Sequence, residues 1–204
     1  MSNDYELTFD ADLPDLGKSP EKIVRFATMA INKTVDRART LSAERITQQV
    51  NFPASYLRGT DSRLAVTKRA SSNSLEGVIT GRYRATSLAR FVHDNNPAAA
   101  RKRGGLTIEV KPGEARFVKG AFLVKLRAGA TKTDTKYNLG VAIRLKQGQR
   151  PRNSRAAVQL DHNVWLLYGP SVQQVFQSVR EDVAPEAQDF LVAEFLRLLN
   201  VEGL

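Results

Sequence analysis

Apolar residues recur at three- and four-residue steps from Ile23 to Ile46, through Phe26, Ala27, Ala30, Ile31, Val35, Ala38 and Leu41. Arg25, Lys33, Asp36, Arg37, Arg39, Glu44 and Arg45 fill much of the space between them. This is the period of a helix with one buried stripe and one charged face. Ser19 suits the N-cap, Pro20 the first helical position, and Glu21 the positive end of the helix dipole. Pro53 forbids continuation, so the helix is predicted to run to about Val50. At 1.5 Å per residue such a rod is about 45 Å long. That outreaches a small core, so the helix must span its domain or pack on another subunit.

After this rod the pattern becomes that of strands. Pro53–Leu57 reads as one helical turn. Ser62–Ala70 and Leu75–Arg84 flank the turn cluster Ser71–Ser74 and read as a hairpin. Leu106–Val110 and Ala115–Val118 flank a Pro-Gly turn and read as a second hairpin. Ala121–Arg127, Asn138–Leu145 and Asn163–Tyr168 are further strands, with Phe117 and Phe122 as strand core residues. Residues 92–105 and 146–156 are basic loops. Pro170 opens a helix with Val172, Val175, Phe176 and Val179 on one face, and Pro185 opens another with Phe190, Leu191, Phe195, Leu198 and Leu199 inward. Trp165, the only tryptophan, is placed in the core, with an interface anchor as the rival reading.

The fold class that follows is α+β: a long N-terminal helix, an antiparallel β-sheet of five to seven strands in the middle, and two C-terminal helices packed on the sheet. Residues 18–204 form a single domain. Residues 1–17 form an extended acidic and apolar arm, in which Asp4, Glu6, Asp10, Asp12 and Asp15 are spread among Tyr5, Leu7, Phe9, Leu13 and Leu16. Its apolar residues can dock on a neighbour, or the arm is simply a frayed terminus.

The net charge of +10 hides a segregation. Residues 58–155 hold 22 Lys and Arg against 6 Asp and Glu, whereas residues 156–204 hold 2 against 7. A basic middle therefore precedes an acidic end. Such a middle suits nucleic-acid phosphates. It equally suits a chain that stacks on copies of itself or on neighbours, acidic end against basic middle. No RNA-binding aromatic signature and no convincing helix-turn-helix accompanies the cations.

Several chemistries lack their residues. The absence of cysteine removes disulfides, thiolate nucleophiles and Cys-type metal sites. Gly169-Pro170-Ser171-Val172 lacks the closing glycine of a nucleophile elbow, and no phosphate-cradling Gly-x-x-x-x-Gly-Lys-Ser/Thr occurs. His93-Asp94 and Asp161-His162 are the only acid–histidine neighbours and read as surface pairs. The expectation is a soluble non-enzyme with no catalytic residue, no cofactor and no metal. No apolar run is long enough for a membrane span.

Four stretches taken together resemble the bacteriophage and prophage minor tail protein Z family, the tail completion proteins. They are FATMAINKTVDRARTLSAERITQQV from Phe26, NFPASYLR from Asn51, LEGVITGRYRATSLARF from Leu75, and LLYGPSVQQVF from Leu166. The most specific piece is Leu167-Tyr168-Gly169-Pro170-Ser171-Val172. The resemblance runs from Phe26 to Leu199 and leaves out the arm and the loop Lys132–Lys136. It implies a structural virion protein of the tail or head–tail junction, assembled in the host cytoplasm. It also implies a homo-oligomeric ring, six-fold by analogy with related head–tail proteins, with DNA passing through the lumen. The implied partners are the tail tube, terminator, connector or portal, with transient contact to genomic DNA. The alternative is a basic nucleic-acid-binding protein using residues 58–155.

The candidate partner or DNA contacts are Arg82, Arg84, Arg90, Arg101, Lys102, Arg103, Arg150, Arg152 and Arg155. Gly169, Pro170 and Ser171 are a candidate subunit-contact turn, or else only the joint between a strand and a helix.

Overall fold

The predicted rod forms helix α1, Pro20–Gln49, and one further turn forms α2, Ala54–Leu57. The computed structural model describes residues 20–58, 62–93, 102–126 and 139–201. The acidic arm, the Ser19 cap, Arg101 and the Lys132–Lys136 loop lie outside these residues. Among the described residues nine strands follow α2: β1 Leu64–Lys68, β2 Val78–Gly81, β3 Thr86–Ser87, β4 Gly105–Glu109, β5 Ala115–Lys119, β6 Ala121–Lys125, β7 Leu139–Arg144, β8 Ala157–Asp161 and β9 Val164–Gly169. Helix α3, Val172–Val201, ends the described chain. The fold class is α+β, as expected.

The described residues divide into two compact units. One takes its residues from within Met1–Ile46, Ser55–Arg82 and Phe176–Leu204, and the other from Thr47–Ala54 and Tyr83–Val175.

In the first unit, α1 buries Phe26, Ala30, Ile31, Val35, Ala38 and Ile46. These are stripe residues of the sequence pattern. Lys33 reaches Glu194 and Arg37 reaches Glu186, so α1 and α3 run antiparallel. The hairpin β1–β2, with Leu64 opposite Gly81, lies against α1: a Cβ on Gly77 would fall 2.3 Å from Val35 Cγ2.

The second unit holds two sheets. One has the order β3-β9-β7-β6, with β8 also on β9; the other is the ribbon β4–β5. Every pairing is antiparallel. With β1–β2 this makes three sheets among the described residues: the largest has five antiparallel strands, as expected, but the two hairpins β1–β2 and β4–β5 stand apart from it. For β4–β5 the cause lies at Gly120. A single residue separates β5 from β6, too few for a hairpin, and Gly120 at φ +75° turns the chain out of the ribbon so that β6 pairs with β7. Val141, Ala142, Leu166, Leu106, Ile108 and Phe91 are buried in this unit. Phe52 and Phe91 pack with ring centroids 5.5 Å apart.

Three other expectations are corrected. Pro185 does not open a second helix; it lies inside α3. Val179, Val183, Ala187 and Leu191 are all buried at four-residue steps on both sides of it, and this continuous stripe offsets the lost backbone hydrogen bond. Pro170 does not open a helix either: it precedes Ser171, which sits just before the first residue of α3. Phe117 is 53 % exposed and lies across the ribbon over Gly105, not in a core. Trp165 and Phe122 are half-buried.

Candidate functional site

The loop between β7 and β8 carries a group of exposed cations. Gly148 takes φ +80°, and the Gln149 N–H donates to the Lys146 carbonyl at 3.0 Å, closing a turn. Pro151 is buried and anchors the loop, while Arg150 and Arg152 on either side of it are exposed. Arg155 is exposed in the short 3-10 turn Ser154–Ala156. Arg144, at the end of β7, and Lys146 are exposed as well. Lys102 and Arg103 are exposed in a helical turn just before β4.

The other predicted cations fall elsewhere. Arg84 is exposed, and Arg90 is half-buried at the end of the 3-10 turn Leu88–Phe91. Arg82 closes a stretch of the first unit, whereas the rest belong to the second. Structure therefore brings Arg150, Arg152 and Arg155 together on one loop but does not gather all the candidates.

Strand β8, which follows that loop, was not expected. Its residues Val158-Gln159-Leu160-Asp161 alternate apolar and polar, which is a strand signal hidden by the basic loop before it. It pairs with β9 on one side, and among the described residues no strand pairs with its other edge. Val158 is 52 % and Leu160 49 % exposed.

A cleft of about 330 Å³ opens beside the ribbon, lined by Leu88, Ile108, Val110 and Val118. Glu114 at its rim pairs with Lys111 at 3.6 Å and Arg116 at 3.1 Å. The neighbouring Glu109 accepts a hydrogen bond from the Gly113 N–H at 2.7 Å and contacts His93. These two contacts, the backbone one first, hold its carboxyl below the usual carboxylate range. His93 is thus paired with Glu109 at the surface.

The first unit carries charges of both signs, with its acids concentrated on α3. Glu181, Asp182 and Asp189 are exposed along α3, as are Val192, Leu196 and Val201. The buried exception is Glu194, 7 % exposed, which accepts from Arg197 at 2.7 Å and from Lys33 at 2.9 Å. Arg197 first, and then Lys33, bring its pKa down to about 2. Nothing local in the sequence marks Glu194, since one of its partners lies on the other helix.

The Gly169-Pro170-Ser171 turn is consumed by packing. Thr86 pairs with Gly169, and a Cβ at Gly169 would lie 3.0 Å from the Phe91 ring. The Ser171 hydroxyl accepts from the Gln174 N–H at 3.1 Å, and the Ser171 N–H donates to Gln174 Oε1 at 3.0 Å. This reciprocal capping box starts α3 and leaves Ser171 buried.

Among the described residues no group of three or more His, Cys, Asp or Glu is placed to hold a metal ion, and no helix is long and apolar enough to cross a membrane. No family model matches the chain, and no curated protein or solved structure matches it.

Proposed function

We propose that the protein is a structural virion component of a tailed bacteriophage that completes the tail and joins it to the head, acting as a homo-oligomeric ring around the passing DNA. One observation carries this reading. Exposed cations gather on the second unit, at Arg150, Arg152 and Arg155, while exposed acids line α3 on the first, at Glu181, Asp182 and Asp189. A ring is built by a head-to-tail contact between two unlike surfaces of the same chain. Opposite charge on separate parts of one chain suits such a contact and disfavours like-with-like pairing. Exposed apolar residues accompany both regions, Val158 and Leu160 on one and Val192 and Leu196 on the other. The resemblance of Leu166–Phe176 and the other three stretches to tail completion proteins supplies the biological setting.

Native mass spectrometry and electron microscopy of the purified chain test the ring, and antibody labelling of virions tests its place. Closed oligomers and label at the head–tail junction are expected. A lone monomer missing from the particle refutes the reading.

The exposed arginine loop also favours a second reading, a nucleic-acid-binding protein. Duplex binding at micromolar or tighter affinity, falling steeply with salt, would support it. In the ring reading, replacing Arg150, Arg152 and Arg155 by serine should impair assembly more than duplex affinity.

A further inference from the structure

The open edge of β8 and the acidic arm have matching chemistry. Residues 1–17 contain five acids, Asp4, Glu6, Asp10, Asp12 and Asp15, and no Lys or Arg. Residues 144–160 contain five cations, Arg144, Lys146, Arg150, Arg152 and Arg155, and no Asp or Glu. All five cations are exposed. Within the arm, Tyr5, Leu7 and Phe9 alternate with Glu6, Thr8 and Asp10, the period of a strand with one apolar face. On β8, Val158 and Leu160 expose apolar surface beside backbone groups that no described strand pairs. An unpaired strand edge of this kind is a template for an added strand: main-chain hydrogen bonds supply affinity, and alternate side chains supply specificity.

We propose that residues 5–10 of a second copy add as a strand to the open edge of β8, with the arm carboxylates facing the arginine loop. The contact rests on the ring reading, to which it adds a second link between neighbours: each subunit gives its arm to one neighbour and receives an arm from the other. It is unlike-to-unlike, as ring closure requires.

The chain has no cysteine, so a two-cysteine experiment is clean. Leu7→Cys and Leu160→Cys are made singly and together in the full-length chain, and oxidised mildly. Mixing the two single variants should give a disulfide-linked dimer, and the double variant should give a ladder of covalent oligomers on a non-reducing denaturing gel. A double variant that forms only an internally closed monomer shows that the arm serves its own subunit, and overturns the proposal. So does a failure of both samples to cross-link while the protein assembles.

Removal of residues 1–17 separates this contact from the ring itself. Assembly should weaken at least tenfold while circular dichroism stays unchanged. Rings that persist without the arm refute the contact and leave the ring reading standing, whereas a full-length chain that stays monomeric refutes both. Replacing the five arm acids with their amides should likewise weaken assembly at least tenfold.

Discussion

Asn32 holds the backbone of Ala70, 38 residues away, with both ends of its amide: Nδ2 donates to the Ala70 carbonyl at 3.0 Å, and Oδ1 accepts from the Ala70 N–H at 2.9 Å. One helical turn along, Asp36 takes both terminal nitrogens of Arg69, at 2.7 and 3.0 Å. The two contacts fix the end of β1 on α1. The amide is the stronger restraint, since the Asp36–Arg69 pair is about half exposed and solvent screens it. Asn32→Ala leaves two backbone groups of the half-buried junction without partners. It should cost about 1–2 kcal/mol in urea unfolding, and Asp36→Ala should cost less. Equal costs would show that the amide is no special restraint.

Glu194 gives the first unit an acid-sensitive joint. Its folded pKa, about 2, lies below the usual carboxylate range because Arg197 and Lys33 favour the charged form. A depressed carboxylate contributes stability above its unfolded pKa, and that contribution is lost as pH falls through the folded value. The window therefore runs from about pH 4.5 down to about 2. Lys33 and Arg197 are each about half exposed, which discounts the pair. Glu194→Gln should cost about 1–2 kcal/mol at neutral pH and flatten the fall in stability across that window. An unchanged acid unfolding profile would contradict this.

Gly77 is the point where the β1–β2 hairpin meets α1. A methyl there would meet Val35 Cγ2 at 2.3 Å, and valine in a helix has essentially one side-chain rotamer. Gly77→Ala should destabilise by about 1–3 kcal/mol. Adding Val35→Ala should recover part of the loss in a double-mutant cycle, because the two side chains would then share the space. Additive losses would mean that the clash is relieved elsewhere.

Pro185 is a costly residue in a helix that continues on both sides of it. It has no N–H for the Glu181 carbonyl, and an interior proline costs a helix about 3 kcal/mol relative to alanine. Pro185 is itself exposed. Pro185→Ala should therefore raise the stability by about 1–3 kcal/mol, seen as a higher melting temperature. A lower one would mean that the ring of Pro185 makes a contact worth more than the missing bond.

The legible parts of the fold are those in which periodicity and punctuation agree. Pro20 and Pro53 bracket α1, and the stripe from Phe26 to Ile46 names its buried face almost residue by residue. The hairpins around Ser71–Ser74 and Pro112-Gly113 follow from turn chemistry. Pro185 misleads because a local rule about backbone donors was outweighed by a buried stripe that runs from Val179 to Leu191 across it. Strand β8 was readable in Val158-Gln159-Leu160-Asp161, yet the arginines before it look like loop. The separation of the β4–β5 ribbon from the five-stranded sheet lies at Gly120, whose positive φ is not a property of composition. Of the candidate contacts, the sequence identifies the arginine loop between β7 and β8. It does not reveal that Ser171 is spent on capping a helix, nor that Asn32 and Glu194 bind partners 38 and 161 residues away.

The first unit is discontinuous in the chain, and this sets an order of events during synthesis. All described residues of the second unit have been made once Val175 leaves the ribosome, whereas α1 lacks its helical partner until the stretch beginning at Phe176 emerges. Domains tend to fold as their chain becomes available. In pulse-labelled nascent chains, amides of β6, β7 and β9 should accordingly gain exchange protection before those of α1. The first long helix to be translated would then be among the last parts to become native, and for that interval its apolar stripe is the surface a chaperone would have to shield.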